Sequence, residues 1–165
     1  MAKKLKYEDL NLPIYRNSRI VYANLTASDL VKAAVLAPLN VLLVGDTGCG
    51  KTQLASDVYN TYFGGNKRDG GNGVFTRAHP DIDIYNEIFS ELNIERASRD
   101  LTDNIEACVF LVDELNRAPV VAQNQFFGLG DGKMDYKGRS IKLGKNGYNV
   151  LIATANIGNG EFQWT

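Results

Sequence analysis

Residues Asn40–Thr52 read NVLLVGDTGCGKT, and this stretch decides the fold. Its first part, Asn40–Gly45, is an apolar run of strand length, which suits a strand buried on both faces of a parallel sheet. Its second part, Gly45–Thr52, fits G-x-x-x-x-G-K-[ST] with strand character before it and helical character after it. In that setting the glycines let main-chain N–H groups converge on phosphate oxygens with no Cβ in the way. The helix N-terminus adds a partial charge of about +0.5. The expected nucleotide-binding set is Gly45, Asp46, Thr47, Gly48, Cys49, Gly50, Lys51, Thr52 and Gln53. Lys51 can reach the β- and γ-phosphates of a nucleotide, and the Thr52 hydroxyl can coordinate Mg²⁺. The plainer alternative is a glycine-rich turn with a solvated lysine, and the flanking elements argue against it.

Working outward, Thr26 and Asp29 have capping-box spacing before a short stripe of Leu30, Val31, Ala34 and Val35, and Pro38 ends that helix. After the loop, Leu54, Ala55, Val58, Tyr59 and Tyr62 share one face of a helix over Thr52–Phe63. GGNKRDGGNG, from Gly64 to Gly73, carries five glycines and reads as a loop. Val74–Ala78 is a short strand. Pro80 and Asp81 open a helix with the stripe Ile82, Tyr85, Ile88, Phe89 and Leu92. Ala107–Val112 is a second buried strand, followed by a helix entered through Pro119. Residues 134–143 alternate about Gly138 and read as a hairpin, and Val150–Ala153 is the last strand. Apolar strands alternating with helices predict a parallel, doubly wound α/β sheet in a single domain over residues 26–165, after an N-terminal segment 1–25.

A second motif, CVFLVDE, carries Asp113 and Glu114 out at the C-terminal end of its strand, where ligands of open α/β sheets bind. Asp113 suits the second shell of Mg²⁺, and Glu114 can polarise a water aimed at the γ-phosphate. Asp113 as a helix cap is the bland alternative. A water-activating carboxylate favours hydrolysis over transfer to a metabolite. Asn156 ends the next apolar strand; if the two strands are neighbours, its amide lies at the height of the γ-phosphate, although an Asn after a strand is often a turn former. NKRD, Asn66–Asp69, spells the N-K-x-D pattern that reads guanine in GTPases. It precedes the acidic strand and lies in a polyglycine loop, so we read it as coincidence.

The bulk numbers are ordinary for a soluble globular protein. The chain has 165 residues, 44% hydrophobic and 22% charged, with a net charge of −1. That balance gives no general pull toward nucleic acid or anionic membrane. The N-terminal stretch has lysines but no apolar h-region, and no apolar run approaches the roughly 20 residues of a membrane span. Cys49 and Cys108 read as reduced thiols, and the expected location is cytoplasmic.

These motifs in this order resemble the AAA+ ATPases, P-loop NTPases with a three-layer core. LVDELNRAPVVAQNQFFGLGDGKM resembles the MoxR-like branch, which includes the chelatase ATPase subunits. There D-E-x-N-R-A-P precedes a helix interrupted by a hairpin (here about 133–144) and a strand ending in A-T-x-N. The resemblance spans about residues 25–165. It implies that Lys51 and Thr52 form the first nucleotide motif, Asp113 and Glu114 the second, and Asn156 the sensor. It implies that Arg117 faces a neighbouring subunit or the hairpin. It suggests Thr76, then Arg77, as the polar residue touching the catalytic glutamate, while His79 reads as a loop residue. It also implies a hexameric ring acting on a client protein. Relatives continue to an arginine finger, a fifth strand beside the loop strand, and a helical lid, all lacking here. That would leave Asn40–Val44 as an exposed apolar edge; the readings left open are a shortened chain, a natural fragment completed by a second polypeptide, and a reduced ATPase with Arg96, Arg99, Arg117 or Arg139 as substitute fingers. The expected activity is Mg·ATP hydrolysis in an oligomer. The alternatives are a nucleotide-gated binding module with little turnover and a small-kinase-type phosphotransferase.

Overall fold

The computed structural model describes residues 20–22, 25–91, 104–136 and 138–157. Strands β1 (Ile20–Tyr22) and β2 (Leu25–Thr26) form a small antiparallel pair ahead of helix α1 (Ala27–Leu36). The predicted capping box starts α1: Thr26 Oγ1 accepts the Asp29 N–H at 3.2 Å, and the Thr26 N–H donates to Asp29 Oδ2 at 3.0 Å. Strand β3 (Val41–Gly45) runs through the glycine loop into helix α2 (Lys51–Phe63). Then come β4 (Gly73–Arg77), α3 (Ile84–Glu91), β5 (Asn104–Ile105) and β6 (Val109–Asp113). A 3-10 turn, Leu115–Arg117, leads to α4 (Val120–Gly130), the hairpin β7 (Lys133–Tyr136) and β8 (Arg139–Leu143), and β9 (Val150–Asn156).

The main sheet is parallel, in the order β3-β9-β6-β4. Burial explains why the strands order this way. Every residue of β6 and β9 is buried, as befits central strands of a sheet covered on both faces. One layer, built on Val31, Val35, Ala55, Val58 and Phe63, packs α1 and α2 against one face. The other packs α3, α4 and the hairpin against the opposite face, around Ile84, Ile88, Phe110, Phe126 and Leu129. The result is the expected three-layer α/β arrangement.

Two expectations change. Strand β3 is not buried on both faces: among the described residues it pairs with β9 alone, and Leu42 and Val44 are 47% and 50% exposed. Among the described residues β3 is thus an edge strand. Helix α3 begins at Ile84, because Asp83 and not Asp81 caps it: Asp83 Oδ1 accepts the N–H groups of Tyr85 and Asn86. Ile82 stays buried in the turn before it; the stripe position Leu92 lies outside the described residues, as does the Phe89 side chain. The 134–143 hairpin is present and docked. Met134, Tyr136, Ile141 and Leu143 are buried in the second core layer, each contributing about 1.5–3 kcal/mol of apolar burial. Strand β5, unpredicted, adds to it in parallel to β8.

Candidate active site

The parallel register puts the C-terminal ends of β3, β9 and β6 side by side. Gly45 pairs with Asn156, and Val112 with Ala153. The strands of the two acids and the asparagine are thus neighbours, as the site requires. A cavity of about 390 Å³ opens there, lined by Thr47, Gly48, Gly50, Lys51, Thr52, Gln53, Ser56, Glu114, Thr154 and Asn156. A larger hollow of about 510 Å³ runs along α1 and β3. It shares Cys49, Gly50 and Lys51 with the loop but is otherwise lined mostly by aliphatic side chains and holds neither acid, so the smaller cavity is the chemical one.

The loop is shaped by its glycines. Gly48 and Gly50 have φ of 81° and 90°, a left-handed conformation that a Cβ disfavours. Gly50 caps α2 with no side-chain bond, which leaves the first turn's N–H groups to other partners. The Lys51 ammonium lies back against the loop, donating to Gly45 O at 2.8 Å and Asp46 O at 2.7 Å, with Cys49 Sγ at 3.6 Å. Gln53 is tied to Asp57 at 2.9 Å. Both cysteines are free thiols, Cys49 exposed and Cys108 buried.

Asp113 is the hub. Its side chain is buried, and its Oδ1 accepts the hydroxyls of Thr52 at 2.8 Å and Thr154 at 2.7 Å. Its Oδ2 faces the Arg77 guanidinium at 3.3 Å, on a side chain 63% exposed. Asp113 is no helix cap. Of the two β4 candidates, Arg77 reaches the acid pair, at Asp113 and not Glu114. Thr76 is buried in β4 opposite Val112. His79 sits beyond the strand, with Nδ1 accepting the Asp81 N–H, as a loop residue.

Glu114 follows with φ 55°, an uncommon and strained conformation for a residue with a Cβ. The chain there breaks out of the sheet and turns the carboxylate into the cavity. Arg117, expected to face a neighbouring subunit or the hairpin, donates within the chain to Glu114 Oε2 at 3.0 Å, on a side chain 52% exposed. The pair is half-exposed, so it orients the carboxylate more than it stabilises the fold. Of the other arginines, Arg96 and Arg99 lie outside the described residues, as does the Arg139 side chain.

Two residues were missed. Thr154 donates to Asp113 and also accepts the Glu114 N–H at 2.9 Å, fixing both acids at once. The signal was available: Thr154 lies two residues before Asn156 on the same strand face. Asn116, buried under the turn, bonds the main chain of Asn156 with both ends of its amide. NKRD lies at the wrong end of the sheet. Asn66 bridges to Gly73 at the start of β4, and Lys67 faces Glu106.

The donor set fits Mg·ATP. A hydroxyl and a carboxylate, hard oxygen donors, meet beside a glycine loop and a helix N-terminus. Among the described residues no cluster of three His, Cys, Asp or Glu side chains could cage a metal alone, so phosphate oxygens would complete the coordination. Among those residues no helix is long and apolar enough to cross a membrane. Residues 40–164 match the family model described as an AAA domain of the dynein-related subfamily. A search of curated proteins returns no match.

Proposed function

The chain belongs to the AAA domain family, dynein-related subfamily, and from that premise we propose that it hydrolyses ATP at the cavity between the glycine loop and the β6 and β9 ends. The family makes it an AAA+ ATP-binding module. Our finer reading assigns the reaction to named residues. The observation that carries it is the convergence of Thr52, Asp113 and Thr154 within hydrogen-bond distance beside Glu114 and Asn156.

In this reading the loop N–H groups and the start of α2 hold the phosphates. Lys51 exchanges its two carbonyl acceptors for β- and γ-phosphate oxygens, a stronger, charge-assisted pairing. Thr52 donates its proton to Asp113, which leaves its oxygen lone pairs directed to Mg²⁺. The cation, when bound, neutralises charge on the β- and γ-phosphates. Glu114, oriented by Arg117, accepts a proton from the attacking water as a bond forms to the γ-phosphorus and the bond to ADP breaks. Asn156 holds that water or senses the γ-phosphate.

DELNRAP, the hairpin and ATAN support placing the chain in the MoxR-like branch. An oligomeric ring that remodels a client protein, in the cytoplasm, is the corresponding physiological proposal. Its test is ATP hydrolysis measured across a dilution series alongside native mass. A rate per subunit that falls as the oligomer dissociates supports assembly of the site between subunits. A flat rate through dissociation refutes it and leaves a self-sufficient site.

A further inference from the structure

We propose that Asn116 is a positioning residue that makes the end of β9 and the Glu114–Arg117 turn one mechanical unit, so that a ligand fixing Asn156 also fixes the Glu114 carboxylate. The proposal rests on the hydrolase reading of the site. Its ground is a change of partners along β9. Main-chain pairing of β6 with β9 stops at Val112–Ala153, because the chain leaves the sheet at Glu114. Beyond that point β9 continues for three residues, to Asn156. Side chains replace the lost strand. Thr154 Oγ1 accepts the Glu114 N–H. Asn116 Nδ2 donates to Asn156 O at 2.8 Å, and Asn116 Oδ1 accepts the Asn156 N–H at 3.3 Å. Asn116 is 1% exposed, so no water substitutes cheaply for either bond. It sits two residues from the carboxylate and clips the main chain of the asparagine that lines the same cavity. A strained residue such as Glu114 keeps its conformation only where its surroundings over-determine it, and this clamp is one of those surroundings.

The fold supplies a control with the same side chain. At the other end of β9, the exposed Asn40 also uses both ends of its amide, bridging two segments: its Oδ1 accepts the Leu151 N–H at 2.9 Å and its Nδ2 donates to Gly130 O at 3.1 Å. Asn40 touches neither acid. Asn116→Ala and Asn40→Ala should both lower thermal stability. Only Asn116→Ala should lower kcat, by ten- to a hundredfold, the scale of a small displacement of a reacting group, with KM for ATP within about twofold. Combined with Asn156→Ala, which keeps the main-chain clamp, Asn116→Ala should add little further loss. Equal kcat in the two clamp variants, or fully multiplicative losses with Asn156→Ala, overturns the proposal. Should Asn116→Ala not fold, native-state amide exchange on the wild-type chain decides: the Glu114 and Asn156 amides should gain protection together on adding Mg·AMP-PNP. Protection of one without the other overturns the coupling. That arm needs no turnover, so a wild-type chain that fails to hydrolyse ATP defeats the hydrolase reading alone.

Discussion

Replacing Thr154 by valine removes one oxygen and changes almost nothing else in shape. That oxygen makes two bonds in a buried place: it donates to Asp113 Oδ1 at 2.7 Å and accepts the Glu114 N–H at 2.9 Å. Losing a hydrogen bond to a carboxylate costs about 1.5–3 kcal/mol, and stranding a buried N–H costs about 1–3 kcal/mol. The extra methyl returns at most about 1 kcal/mol, and valine suits a strand, so the net loss is about 1.5–5 kcal/mol. In a chain of this size that lowers the melting temperature by roughly 3–20 °C. Thr154→Ser keeps the hydroxyl and loses only a methyl, about 1 kcal/mol. The assay is a pair of thermal melts with steady-state ATP hydrolysis on each variant. Valine should cost more stability than serine and should lower kcat, because Asp113 and Glu114 both lose a restraint. Valine and serine variants with the same melting temperature and the same kcat would refute the assignment of Thr154 as the residue that positions both acids.

Three further outcomes are expected. Lys51→Ala should abolish ATP binding, as read by calorimetric titration, since it removes the cation meant for the β- and γ-phosphates; unchanged affinity would contradict the loop assignment. Stability should decline above about pH 9. Burial raises the pKa of the Cys108 thiol and of the Tyr148 hydroxyl, whose proton is held by Val35 O at 2.7 Å. Both groups are therefore favoured protonated in the fold, so their stabilisation is complete below the unfolded values and is lost as pH rises past them. Urea melts from pH 7 to 10.5 should show this, and Tyr148→Phe should flatten the decline; a constant midpoint would contradict it. Leu42→Lys, on the exposed face of the β3 edge, should change stability by under about 1 kcal/mol and reduce self-association measured by light scattering.

How much of this was legible in the sequence follows from how local each cause is. The glycine loop and its junctions with strand and helix are set within the thirteen residues Asn40–Thr52, and the acid pair by its place at the end of an apolar run, so both were readable. The α1 cap was readable for the same reason. The edge position of β3 was not readable from its own residues: VLLV is as apolar as the central strands, and only the pairing order separates an edge from a centre. The start of α3 was misread because two aspartates compete to cap it, and the choice depends on where Ile82 packs. The bond from Arg117 to Glu114 was not readable, because it is fixed by the left-handed turn at Glu114, a conformation that no residue type announces. Thr154 lay in plain view on the Asn156 face, but its value depends on Asp113, 41 positions away in sequence.

The central claim is that Glu114 performs chemistry on ATP held by the loop. The measurement that tests it most directly is steady-state ATP hydrolysis by Glu114→Gln beside its ATP affinity. The account predicts affinity within a few-fold of wild type and turnover reduced at least a hundredfold, since the amide keeps the shape but cannot take the proton from water. Equal turnover in the two proteins would contradict it.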